Sequence, residues 1–276
     1  MKRLKLFFLT TEITPFANAT SLADFSAKVP LLLQAKDHDI RIMHPKYGFI
    51  SERKFILREV IRLREIPFVF DGKDQMTSAK SAFIPRTRVQ VYFLEHLDWF
   101  KPLSNLVYKS KNGRILSDNP MRYSFYGIAS LATLPHLFWC PDIIICNGWQ
   151  SSMVPIIYNQ LYKEEKFYKG IKTVQVIHSI DECSVFSRKA YEAAGVKVPD
   201  NIKGKSINTF EVSSHFSDHI IVFNTPGNNV ANKLLKLNGV KENEKKLSII
   251  DLDSTETPDY SAIANEMEII LKKLSG

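Results

Sequence analysis

Five short runs with almost no polar interruption constrain this chain most: residues 5–10, 40–43, 142–146, 173–178 and 219–223. A strand with one wet face alternates apolar and polar residues, whereas a continuous apolar run of this length reads as a strand covered on both faces. Between the runs lie helical patterns. Leu22, Phe25, Val29, Leu32 and Leu33 recur at helical spacing over 22–35, and Ser21 with Asp24 forms the S-x-x-D start signal of a capped helix. Ser117-Asp118-Asn119-Pro120 opens a second helix running to about residue 134, with Pro near its first position. Further helices are predicted over about 149–163, over 208–216, and from a Thr225-Pro226 cap to about 237. Strand–helix alternation of this kind predicts an α/β fold, a mainly parallel sheet with helices on both faces.

The middle of the chain departs from that pattern. Residues 59–70 and 89–94 are rich in Val, Ile, Phe and Tyr, with turn residues Asp71-Gly72 and Pro85 between them, so a β-rich insertion is predicted over about 55–95. Sheets of this type receive ligands beyond the C-terminal ends of their strands. The candidate loops are therefore 11–21, 147–150, 179–186 and 224–226.

Charge narrows the partners without choosing one. Residues 241–276 hold five basic and eight acidic side chains, a net of −3, and residues 1–240 hold 32 basic and 21 acidic, a net of +11. A basic body suits an anionic ligand such as nucleic acid, a nucleotide sugar or a membrane surface. No aromatic-plus-basic signature of a nucleic-acid module is present, and no nucleic-acid partner is expected. No apolar run reaches the roughly 20 residues that a membrane helix needs. Met1-Lys2-Arg3 and Ala17-Asn18-Ala19 mimic the ends of a signal peptide, but Lys5 and Glu12 interrupt the region between them, and a buried first strand fits better. Three cysteines without a C-x-x-C pair, Cys140, Cys146 and Cys183, fit small core residues of a reduced, cytoplasmic protein. His178, Asp181, Glu182 and Cys183 match no standard metal-ligand spacing, and no metal is expected.

The loop after the first run carries the most specific pattern. Thr10-Thr11-Glu12-Ile13-Thr14-Pro15-Phe16-Ala17 leads into Leu22-Ala23-Asp24-Phe25, followed by His38-Asp39-Ile40-Arg41-Ile42 and Pro45-Lys46-Tyr47. Asp118-Asn119 with Arg122-Tyr123 and Phe125, Pro141-Asp142-Ile143-Ile144 with Trp149, Val176-Ile177-His178, and Ser217-Asp218 follow in order. This ordered set, over about residues 4–237, resembles the N-terminal, acceptor-side domain of bacterial glycogen and starch synthases. The resemblance implies a single Rossmann-like domain, one half of a two-domain glycosyltransferase whose other half holds most of the nucleotide sugar. The substrate-binding candidates it implies are Glu12, Asn18, Thr20, Ser21, Trp149, Gln150 and His178.

Departures from the family pattern weigh on activity. The family's K-T-G-G reads here as Asn18-Ala19-Thr20-Ser21, so a point charge for a diphosphate and two permissive backbone positions are missing. The family's H-x-H-D-W-H is occupied by Ile145, Cys146, Asn147, Gly148, Trp149 and Gln150, which removes every histidine and the aspartate. After His178 the family's Asn is Ser179, and its later K-x-G reads Glu211-Val212-Ser213. The chain ends where the family's first domain would end. The expectation is a glycogen/starch synthase-like protein of glucan metabolism, without catalytic residues or cofactor of its own, that binds glucan or a partner synthase. The alternative is the acceptor-side half of a split ADP-glucose:glucan glucosyltransferase, completed by a separate donor-domain chain.

Residues 1–240 are read as the domain and 241–276 as a linker plus a C-terminal amphipathic helix packing on it. Over 258–274, Ile263, Met267, Ile270, Leu271 and Leu274 form one apolar stripe, Pro258 and Asp259 sit at the start, and Lys272 and Lys273 in the last turn.

Overall fold

A computed structural model of the chain describes residues 2–253 and 258–276. In chain order the elements begin with β1 (Lys5–Leu9), α1 (Leu22–Ala35), β2 (Asp39–Pro45), α2 (Glu52–Phe55), β3 (Arg58–Glu59), β4 (Ile66–Phe70), β5 (Lys73–Phe83) and β6 (Gln90–Glu95). Then come α3 (Asn119–His136), β7 (Ile143–Asn147), α4 (Val154–Ile157), β8 (Lys172–Ile177), β9 (Val185–Ser187), α5 (Arg188–Ala193), β10 (Ser206–Asn208) and α6 (Thr209–Phe216). The chain closes with β11 (His219–Asn224), α7 (Val230–Leu234), α8 (Asn238–Lys241), β12 (Leu247–Asp251) and α9 (Tyr260–Leu274).

The strands form one sheet in the order β12-β11-β8-β7-β1-β2-β6-β5-β3, with β4 paired to β5, while β9 and β10 form a separate antiparallel pair. From β12 to β6 every pairing is parallel. The apolar runs are the central strands: β7 is buried at every residue, and Leu6–Leu9 of β1 likewise. This is the mainly parallel, Rossmann-like α/β fold expected.

The β-rich insertion has a different layout from the one read in the sequence. β6 pairs in parallel with β2 and so belongs to the main sheet. The run 59–70 is not one strand: β3 ends at Glu59, a 3₁₀ turn occupies Ile61–Leu63, and β4 follows. β5 was not anticipated, because its sequence KDQMTSAKSAF is polar; it pairs with β3, β4 and β6, and those pairings rather than burial define it. The turn between β4 and β5 puts both Asp71 (φ 53°) and Gly72 (φ 67°) in the left-handed region, the conformation of a two-residue hairpin matched to strand twist.

Three helix boundaries also differ. Ser21 makes no side-chain cap to α1, and Asp24 instead accepts a hydrogen bond from Thr14 Oγ1 at 2.8 Å. Thr225 pairs with Asn228 in a bridge, so α7 starts later and is capped by Asn229 rather than by Thr225-Pro226. The helix expected over 149–163 is broken into a 3₁₀ turn, α4 and a π turn at Tyr158–Tyr162. All three cysteines are free thiols; Cys146 and Cys183 are buried, but Cys140 is half-buried, not a core residue.

In the segment read as a linker, β12 joins the edge of the sheet beside β11. Residues 254–257 of that segment lie outside the described residues. α9 is capped by Asp259, whose Oδ1 accepts from the Ser261 and Ala262 amides. Ile263, Ala264, Met267 and Leu271 are buried, with Ile270 and Leu274 packed more loosely, and the helix lies against α1. Glu268 fastens its outer side: its carboxylate meets Lys36 at 2.9 Å, His38 Nε2 at 3.1 Å and Lys272 at 2.6 Å. Burial opposes that charge, but the hydrogen bonds from Lys272, Lys36 and His38 outweigh it and pull the carboxyl down to about 2.

Candidate functional site

The C-terminal ends of the parallel strands converge on one edge of the sheet, and the expected loops lie there. Glu12, three residues past the end of β1, is fully buried. Its Oε2 accepts from the Ala19 amide at 2.9 Å, the Thr20 amide at 2.6 Å and Thr20 Oγ1 at 3.1 Å. Glu12 therefore holds the returning limb of the first loop from inside, leaving Asn18, Thr20 and Ser21 exposed on the outside. Its Oε1 has no partner among the described residues, and no cation pairs with it. Burial raises its pKa from the ordinary 4.5 against the opposing pull of the three hydrogen bonds.

A pH dependence follows from that upward shift. A carboxyl with a raised folded-state pKa lends stability that is whole below the unfolded value and is lost as pH rises through the folded value. Glu12→Gln retains an acceptor for the loop amides and cannot ionise. Its stability relative to the unaltered protein is expected to rise with pH above about 4.5 and then level off, measured as urea midpoints across pH 4 to 8. A difference that stays flat over that range would show that folding leaves the Glu12 pKa at its ordinary value.

His178 follows the end of β8. Its ring stands edge-on to Phe25 at 4.5 Å and stacks on Phe223 at 5.1 Å. Burial lowers its pKa to about 3, so it is a neutral imidazole near neutrality. Its Nε2 is buried without a partner among the described residues. It shares a cavity of about 240 Å³ with Ser21, Phe223 and Asn228, walled on one side by Tyr260 and Ile263 of α9. Thus Ser21 and His178, distant in sequence, meet across one small cavity, while Glu12 and Thr20 meet inside the neighbouring loop.

Trp149 and Gln150 are placed differently. Trp149 is 5% exposed and packs edge-on against Tyr123 at 5.1 Å, Tyr108 at 5.5 Å and Phe186 at 6.1 Å. It anchors the loop after β7 and offers no open face for a sugar ring. Gln150 is also buried, with Oε1 unpartnered. Among the described residues the same holds for Thr11 Oγ1 and Asn147 Oδ1, and the His44 ring and Tyr123 Oη are buried nearby. Buried polar groups are nearly always hydrogen-bonded. Their concentration at the ends of β1, β2 and β7 marks this edge as polar inside as well as outside. Of these, Tyr123 and Asn147 stand in the motifs read from sequence without being site candidates, and His44 was not singled out at all.

A cavity of about 700 Å³ was also not legible there. It opens where β2 and β6 end, between Lys46, Gly48, Thr77, Glu95, His96 and Lys101. Ionic contacts stiffen its wall: Glu52 lies 2.8 Å from Lys80 and 3.4 Å from Lys46, and Lys80 lies 3.3 Å from Glu95. The hydrogen bond from Lys80 holds the Glu52 carboxyl below its ordinary value. The signal for this groove was present only as hydroxyl and charged residues scattered over 46–101 with no shared motif.

A family profile for the starch synthase catalytic domain matches residues 5–226, which include every loop described above except the wall contributed by α9. The chain belongs to the starch synthase catalytic domain family. Among its relatives, a glycogen synthase of Chlorobium luteolum is 34% identical over 203 residues, covering 74% of this chain and 41% of that protein. A glycogen synthase of Chlorobaculum tepidum is 34% identical over 191 residues, covering 69% and 39%. The fold is similar to the catalytic domain of starch synthase IV from Arabidopsis thaliana bound to ADP and acarbose, with a TM-score of 0.75, 21% identity, and coverage of 90% of this chain and 51% of that one. The chain thus spans less than half the length of these glycogen synthase relatives. Among the described residues, no helix is long and apolar enough to cross a membrane.

Proposed function

We propose that these residues form a glucan-binding, acceptor-side unit of the starch synthase family that does not transfer glucose on its own. The observation that carries this reading is the groove of about 700 Å³ at the ends of β2 and β6, lined by hydroxyls, amines and carboxylates at the ligand-receiving edge of the sheet. Such a lining suits a polyhydroxylated chain better than an apolar molecule. The neighbouring loop supports the absence of transfer. Asn18 and Ser21 bring no charge to a departing diphosphate, and Gln150 is a buried neutral amide. Stabilising that departure relies on clustered positive donors.

In a second reading these residues are the acceptor-side half of an ADP-glucose:glucan glucosyltransferase that a donor half completes, and the 34% identity to the glycogen synthase of Chlorobium luteolum supports it. One pair of measurements tests both. Calorimetric titration with maltoheptaose is expected to give heat of binding, and titration with ADP-glucose none. Labelled glucose incorporation into glycogen by the 276-residue chain is expected to equal that of a no-protein control. Incorporation well above the control would overturn the first reading, and transfer appearing only when the donor half of a relative is added would select the second.

A further inference from the structure

The two ends of the main sheet are finished differently. At one end β3 is two residues long, and both, Arg58 and Glu59, are charged and exposed. Short, charged edges resist pairing with another chain. At the other end β12 is five residues long, LSIID, with neither Pro nor Lys inside it and with Ile249 45% exposed. Its register fixes which backbone groups are in use. Val222 of β11 pairs with Ile249 and Asn224 with Asp251, and the Leu252 amide donates to the Asn224 carbonyl at 2.9 Å. Alternate residues of a parallel strand bond to a given neighbour, so Ser248, Ile250 and Leu252 turn their amides and carbonyls toward β11. Leu247, Ile249 and Asp251 turn theirs outward, and no backbone group meets them among the described residues. The two ends of the strand also differ in charge. Lys245, in the 3₁₀ turn Glu244–Lys246 before it, and Asp253, just after it, are exposed and form no ion pair among the described residues. Lys246 is occupied on the body of the domain, donating to the Ser214 and His215 carbonyls at 3.3 Å.

We propose that β12 pairs with β12 of a second copy of this chain, antiparallel about a twofold axis at Ile249, joining the two sheets into one. An isologous contact must complement itself, and this strand does. Ile249 of one copy stands opposite Ile249 of the other, and Leu247 opposite Asp251, so the outward amides and carbonyls of both strands bond to each other. Lys245 of each copy comes beside the Asp251–Asp253 end of the other, whereas a parallel pairing would set like charges together. So short a contact falls below the usual size of a stable interface, so the copies associate weakly and part on dilution. The proposal is independent of the glucan reading, since no residue of β12 lines the large groove or the His178 cavity.

The test uses the full chain. Sedimentation velocity from about 5 µM to about 1 mM is expected to pass from monomer toward dimer. Residue-resolved hydrogen exchange at the two extremes should show the Leu247, Ile249 and Asp251 amides slowed at high concentration and those of Ser248, Ile250 and Leu252 unchanged, an alternation that association through another surface would not produce. Ile249→Pro removes the central outward amide, which β11 does not use, and should leave a folded chain that stays monomeric throughout. Lys245→Asp should weaken association about fivefold or more, and adding Asp253→Lys should restore it. Both of those positions are exposed, so the charge exchange tests the contact even where Ile249→Pro impairs folding. A chain monomeric over the whole range, a dimer that survives Ile249→Pro, or a charge exchange that restores nothing would overturn the proposal.

Discussion

Deletion of residues 258–276 is expected to lower the melting temperature by roughly 10 °C or more, or to leave the protein insoluble. The deletion removes α9, whose Ile263, Met267 and Leu271 are 3%, 0% and 1% exposed against α1. Each such side chain contributes about 1.5–3 kcal/mol on burial, and ordering the helix returns part of that. A net loss of about 5 kcal/mol is a large share of a typical domain's stability. The deletion also uncovers α1 and one wall of the His178 cavity. Differential scanning calorimetry with size-exclusion chromatography checks the result. A truncated chain that stays monomeric, soluble and equally stable would sink the packing role. A dimeric full chain that truncation converts to a stable monomer would show that α9 joins two copies instead. A gentler variant isolates the polar fastening. The Glu268 carboxyl, held down to about 2, lends stability present above its ordinary 4.5 and lost as pH falls toward 2. Glu268→Gln should therefore destabilise the protein at neutral pH and make little difference in strong acid.

Gly48→Ala is expected to cost about 3 kcal/mol or more, despite adding one methyl group. A Cβ at position 48 would lie 2.0 Å from the Lys101 carbonyl oxygen and 3.0 Å from its carbon. The obstacle is backbone, so no side-chain rotation relieves it. The Gly48 amide donates to the Phe100 carbonyl at 3.3 Å, and Tyr47 and Phe100 beside it are fully buried. Making room separates the two loops that form one side of the large groove, so maltoheptaose binding should weaken along with stability. A urea midpoint within experimental error of the unaltered protein would show that the loops part at no cost.

How far the fold was legible follows from what each strand's environment asks of its residues. β1, β7, β8 and β11 are enclosed on both faces, so apolar side chains are required at nearly every position and the runs stand out. β5 and β12 lie toward the margins of the sheet, where backbone pairing defines a strand and either face tolerates Lys, Ser or Asp. The broken segment after β7 was hidden because its 3₁₀, α and π turns are only 3, 4 and 5 residues long, too short for separate periodicities to show. For the site, the resemblance located the loops but not the direction in which side chains point. Glu12 and Trp149 both stand in motif positions, yet Glu12 turns inward to bind Ala19 and Thr20, and Trp149 joins rings from positions 108, 123 and 186. Those contacts depend on chain segments that return from far away, which no local pattern records.

The position of β1 has a kinetic consequence. Leu6 pairs with Ile40 on one side and with Ile143 on the other, so the earliest strand of the chain is an interior strand of the finished sheet. One of its edges can close early, through α1 and β2. The other waits until a segment more than a hundred positions away has arrived, and the entropy of that closure precedes any reward from the contacts it permits. During synthesis, Leu6, Phe7, Phe8 and Leu9 therefore present an unpaired apolar edge to the solvent for as long as it takes to make α3 and β7. Refolding of this chain should be slow and prone to aggregation at high concentration, and its passage through that state is where a chaperone that recognises extended apolar strands would act.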